Sequence, residues 1–216
     1  MIDVVTNFLK NNLFSVITAI IAIIAIFQTK NQTELSNKHF LFDKRLNDYL
    51  LAKGLVDLYN DYKKLLDYSN AKKDEVIVVD LQFCFFTNIS FLKDISCIIK
   101  QPKNNEFKTK FLIKLEELQK LSNEIRFVFS NKSGLFLSDF VYNYQILLME
   151  IYKYQLLSND MLNNNIRKST YKELQNEFNE SDHRKNLFQA IEDLKKSYDK
   201  MIKYNSIVKI EKLIKI

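Results

Sequence analysis

Glycine and proline are almost missing from this chain: its 216 residues include two glycines, Gly54 and Gly134, and one proline, Pro102. A sheet protein of this size needs many turn residues, so the scarcity argues against a strand-rich fold and predicts an all-α one. Two glycines so far apart cannot form a phosphate-cradling loop of the Walker or dinucleotide type. Cysteine is as sparse. Cys84 and Cys97 lack the CxxC spacing of zinc or redox sites and, in a cytoplasmic domain, read as free thiols. With only two histidines, a metal centre would need carboxylates for most of its ligands, so His39 with Asp43, and Asp182 with His183, read as surface polar residues. No catalytic residue, cofactor-binding residue or metal ligand is assigned. No cofactor and no enzymatic activity are expected.

The absence with the largest consequence is charge. No charged residue lies between Lys10 and Lys30, and the nineteen residues Asn11 to Thr29 read NNLFSVITAIIAIIAIFQT. As a helix they extend roughly 28 Å, close to the roughly 30 Å of a bilayer's hydrocarbon layer. The stretch is expected to be a transmembrane helix, residues 11–29, preceded by a short extracytoplasmic segment, 1–10, and followed by a cytoplasmic helical domain, 30–216. A cleaved secretory signal would need an A-x-A-like site, which Ala25 to Lys30 does not provide. A soluble core helix would show a polar face, whereas Leu13 to Phe27 is broken only by Ser15 and Thr18, with alanines among its isoleucines.

Orientation follows from the flanking basic residues. Lys10 stands alone on one side; Lys30, Lys38, Lys44, Arg45 and Lys53 follow on the other. The positive-inside bias therefore places the bulk of the chain in the cytoplasm, with the membrane crossed once and the N-terminus outside. The run also has two unlike faces. Ser15, Thr18, Ala19, Ala22, Ala25 and Thr29 recur at steps of three and four, a pattern that lets two helix backbones approach closely, so a homo-oligomer through this face is expected. Val16, Ile17, Ile20, Ile21, Ile23, Ile24 and Ile26 are assigned to the remainder.

The residues after the run suffice for one compact domain with a sizeable core. Glu34 to about Asn70 reads as a long helix, with Gly54 inside it permitting a close helix contact or a bend. Val76 to Leu92 and Leu135 to Met149 are apolar enough to raise the question of a further membrane segment. Each is interrupted by an acid, Asp80 or Asp139, and by amides, so both are expected as buried core helices. Phe107 to Val128 traces an amphipathic helix closed by Asn131 to Gly134, with Gly134 as its terminator. The helix from about Leu135 to Leu157 is the expected centre of the core. Phe127, Phe129, Phe136, Phe140, Tyr142, Tyr144, Tyr152 and Tyr154 are assigned to that core rather than to base stacking. A last helix is announced by Ser181 and Asp182. Its heptad reading puts Ile191, Tyr198 and then Asn205 on one coiled-coil seam.

The thirty residues from Leu187 carry seven lysines against four acids, half of the net +6. An anionic leaflet is the nearest partner for that surplus, each nearby lysine contributing about 1 kcal/mol. Lys203, Lys209, Lys212 and Lys215 are the expected lipid-surface contacts. Lysine far outnumbers arginine and no nucleic-acid motif is present, so nucleic acid is not the expected partner.

The segment His39-Phe40-Leu41-Phe42-Asp43-Lys44-Arg45-Leu46, about ten residues beyond the span, resembles a pattern in small uncharacterised bacterial membrane proteins in which a helical domain follows one membrane helix. Thr87 to Leu92 (TNISFL), Phe127 to Ser130 and Phe140 to Tyr144 are similar to later parts of that group. The resemblance implies a single-span protein of a bacterial inner membrane with a helical cytoplasmic domain. It implies no activity and no site residues, although some such proteins lie in phage-defence neighbourhoods. The expected function is a membrane-anchored interaction protein, a sensor, scaffold or adaptor with an unidentified protein partner, in a phage-defence or stress context. The alternative is a membrane-disrupting effector acting by association of its spans.

Overall fold

The computed structural model describes residues 2–68, 77–165 and 171–214. Among them every regular element is helical and no strand occurs. The α-helices are α1 (Ile2–Tyr62), α2 (Asp80–Phe86), α3 (Asn105–Val128), α4 (Lys132–Asn165), α5 (Tyr171–Glu177), α6 (Glu180–Lys203) and α7 (Ser206–Ile214). Two 3-10 turns, Lys63–Leu66 and Lys93–Ile99, lie between them. By its contacts the chain divides into two compact units, Met1–Lys44 and Arg45–Ile216.

The described residues of the first unit are the portion of α1 up to Lys44. The run 11–29 and the helix read from Glu34 are one continuous α-helix, because nothing from Lys30 to Ser36 stops a helix: there is no glycine or proline, and α1 runs on to Tyr62.

The second unit is built around α4, as its largely apolar sequence suggested. Leu137, Phe140, Val141, Tyr144, Leu147, Leu148 and Ile151 are fully buried, so 135–149 belongs to a protein core. Helix α3 packs antiparallel to it, with Ser122 Oγ donating to Ser138 O (3.0 Å) and the Phe111 and Tyr152 rings 4.8 Å apart. Helix α6 packs on it in the opposite sense too, since Phe136 meets Tyr204 at one end and Tyr154 meets Glu180 at the other. The part of α1 that belongs to this unit buries Tyr49, Ala52, Leu55, Val56 and Tyr59. Tyr59 sets its ring against Phe86, Phe140 and Tyr198 at 4.9–6.2 Å. Aromatic pairs of this geometry add about 0.5–1.5 kcal/mol each beyond their buried area.

Several expectations are corrected. Val76 to Leu92 is not one buried helix. Residue 76 lies outside the described residues, Val78 is exposed, and α2 ends at Phe86, where Thr87 turns its hydroxyl back to Phe83 O (2.8 Å). A turn and the 3-10 segment then bury Leu92, Ile95, Ile98 and Ile99 instead. Gly134 does not terminate α3; it sits in the first turn of α4, without a positive φ. Its role is close approach, because a Cβ there would lie 2.0 Å from Phe129 O. Asn131 caps the same turn, its Oδ1 accepting from Gly134 N–H at 2.8 Å. At Gly54 an added Cβ would meet nothing nearer than Ile89 Cδ1 at 3.7 Å, so no close contact requires that glycine.

Helix α6 begins one residue before Ser181, after a left-handed Asn179. The coiled-coil seam fails for the same reason at the other end: Asn205 is also left-handed (φ 52°), which ends α6 and redirects the chain into α7. Of the aromatic set, Phe129, Phe140, Tyr144, Tyr152 and Tyr154 are buried, but Phe127 is 87% exposed and Tyr142 46%.

Candidate functional site: an exposed apolar helix and the polar sites of the helical unit

The segment 11–29 is the feature that ordinary folding does not explain. An 18-residue apolar window within α1 is wholly unburied, which leaves one helix among the described residues long and apolar enough to cross a membrane. Each of Leu13, Phe14, Val16, Ile17, Ile20, Ile21, Ile23, Ile24, Ile26 and Phe27 is between 48% and 80% exposed. Water is a poor solvent for so continuous a surface, and exposed apolar patches of this extent mark interaction with lipid or with another protein.

At 100° per residue, Ser15, Thr18, Ala19, Ala22, Ala25 and Thr29 fall within an arc of roughly 120° on α1. Ile26 falls inside the same arc, so the small-residue face is continuous from Ser15 to Ala25 and interrupted before Thr29. Thr18 and Thr29 donate their hydroxyls to Phe14 O and Ala25 O, each at 2.8 Å. Those protons are used within the helix, and the face offers close packing more than hydrogen bonds across a contact.

In the second unit, an open cleft of about 760 Å³ has Gln175, Glu180, Ser181, Arg184, Phe188 and Gln189 in its lining. Glu180 is 2% exposed. Tyr154 Oη donates to it at 2.5 Å, Arg184 Nε at 2.8 Å and Gln175 Nε2 at 3.3 Å. Tyr154 Oη in turn accepts from Ile77 N–H at 3.3 Å. Burial, and then the neighbouring carboxylate, push the Tyr154 hydroxyl above its ordinary range. With both carboxylate oxygens engaged, Glu180 ties α4 to α6. Sequence reasoning passed over this centre, although Glu180 and Arg184 stand at the i, i+4 spacing of a helical ion pair.

No group of three or more His, Cys, Asp or Glu among the described residues could hold a metal ion. Cys84 is half-buried, Cys97 is exposed, and both are free thiols. Lys203, Lys209 and Lys212 are exposed on the last turn of α6 and on α7, Lys209 Nζ resting 3.7 Å from the centre of the Tyr204 ring. Lys215 lies outside the described residues.

The chain matches no protein-family model, no curated protein and no solved structure.

Proposed function

We propose that this is a single-span membrane protein whose helical unit, Arg45–Ile216, works as an interaction module at the cytoplasmic face of the membrane. The observation that carries the proposal is the wholly exposed, uncharged run within α1. The lysines and arginine after the run, against Lys10 alone before it, favour the cytoplasmic placement. Self-association through Ser15, Thr18, Ala19, Ala22 and Ala25 belongs to the same reading, because small residues let two spans approach closely.

Two readouts on the full chain test it. The protein should stay with membranes through alkaline carbonate washing. A membrane-impermeant maleimide should label the exposed Cys97 only after cells are opened, while an Asn7→Cys substitution should be labelled in intact cells. Release by carbonate would refute the span; labelling of Cys97 in intact cells would refute the orientation. Ala19→Ile with Ala22→Ile should abolish crosslinked dimers, and a wild-type chain that never crosslinks would remove the oligomer.

A further inference from the structure

The outward face of α7, with the end of α6, combines cationic and apolar side chains. Ser206, Ile210 and Ile214 are buried against the unit. Val208 (51%), Leu213 (48%) and Ile202 (48%) are exposed beside Tyr204, Lys203, Lys209 and Lys212. The one acid from Lys203 to Ile214 is Glu211, and Tyr49 Oη donates to its Oε1 at 2.5 Å, holding that carboxylate toward α1. The nearest acid before Lys203 is Asp199, about one turn back on α6. The face left to solvent is therefore cationic and apolar together. That combination suits the interfacial zone of an anionic bilayer, where lysines meet headgroups and short apolar side chains enter the acyl boundary. Tyrosine is a preferred residue at that depth.

We propose that α7 and the last turn of α6 form a peripheral docking strip for an anionic phospholipid surface, through Lys203, Lys209 and Lys212 with Val208 and Leu213. The inference rests on the tether reading for its setting, since a tethered domain never leaves the neighbourhood of lipid. It names a second, reversible contact that the tether alone does not supply.

The test separates the strip from the span by using the full chain with Ile20→Asp and Ile24→Asp, mixed with vesicles of phosphatidylcholine alone or of equal parts phosphatidylcholine and phosphatidylglycerol. The protein should sediment with the anionic vesicles only and be released by salt. Adding Lys203→Gln, Lys209→Gln and Lys212→Gln should weaken the partition about a hundredfold. Val208→Asp should also weaken it without touching a lysine, and circular dichroism melts should coincide because the replaced side chains are exposed. Equal sedimentation with both vesicles, or undiminished partition of the triple glutamine variant, overturns the proposal. So does a vesicle-independent dimer that Val208→Asp dissolves, which would make a second copy the occupant. Failure of the tether reads out separately, as carbonate release of the wild-type chain.

Discussion

On the proposed single-span reading, replacing Ile20 and Ile24 by aspartate should move this protein from membrane to supernatant while leaving its folded unit untouched. Ten large apolar side chains between Leu13 and Phe27 face outward, and at about −0.3 to −0.6 kcal/mol each they favour insertion by about 3–6 kcal/mol. An aspartate near the centre of a span costs about 2.5–3.5 kcal/mol and forfeits the isoleucine it replaces, so two of them cost about 6–8 kcal/mol. The balance then changes sign. Ile20 sits in the middle of the uncharged run and Ile24 one turn further, where neither can snorkel to a headgroup. Because the window is wholly unburied, the same changes remove no packing contact, and the thermal unfolding midpoint of the helical unit should match wild type. The assay is high-speed centrifugation after lysis, followed by size exclusion and a circular dichroism melt of the released protein. A double variant that still pellets with membranes would refute the lipid account. A lowered midpoint would show instead that the run packs against folded protein.

Three further expectations concern the helical unit. Gly134→Ala should destabilise it by about 1–3 kcal/mol through overlap with Phe129, whereas Gly54→Ala should stabilise it by about 0.5–1 kcal/mol through helix propensity; denaturant melts of the pair decide whether close approach is what Gly134 supplies. Tyr154→Phe keeps the ring but leaves the buried Glu180 and Ile77 N–H each short of a partner, a loss of about 1–3 kcal/mol that the same melts would reveal. Alkaline pH should unfold the unit through its tyrosines. Burial, then Asp199, pushes Tyr59 up to about 12, and burial raises Tyr68 and Tyr144 as well. Since the folded values exceed the ordinary value of about 10, the unfolded chain releases these protons first. Stability is therefore intact below about pH 10 and lost as pH rises toward 12 and beyond. Tyrosinate absorbance and helical signal should change together; ionisation of all tyrosines near pH 10 with helices intact would contradict the burial.

The helical character and the apolar run were legible before any coordinates, and so was the place of 135–149 in a core. Each is a local property: scarcity of turn residues, an unbroken apolar stretch, an apolar period that repeats within one helix. The candidate site divides along the same line. An exposed run of isoleucines announces itself in the sequence, and so does a surplus of lysine. What the tertiary structure decided were the places where two distant segments meet. Only the packing of Phe129 on the first turn of α4 makes Gly134 a contact residue and not a terminator. The long-range meeting of Tyr154 with Glu180 turns an isolated acid into a tie between helices. Left-handed Asn205 and the engagement of Glu211 by Tyr49 turn a presumed coiled-coil seam into a separate helix with a cationic, apolar outer face. Backbone turns and side-chain partners of this kind depend on which segments lie adjacent in space, and that information is spread over the whole chain rather than held in any one stretch of it.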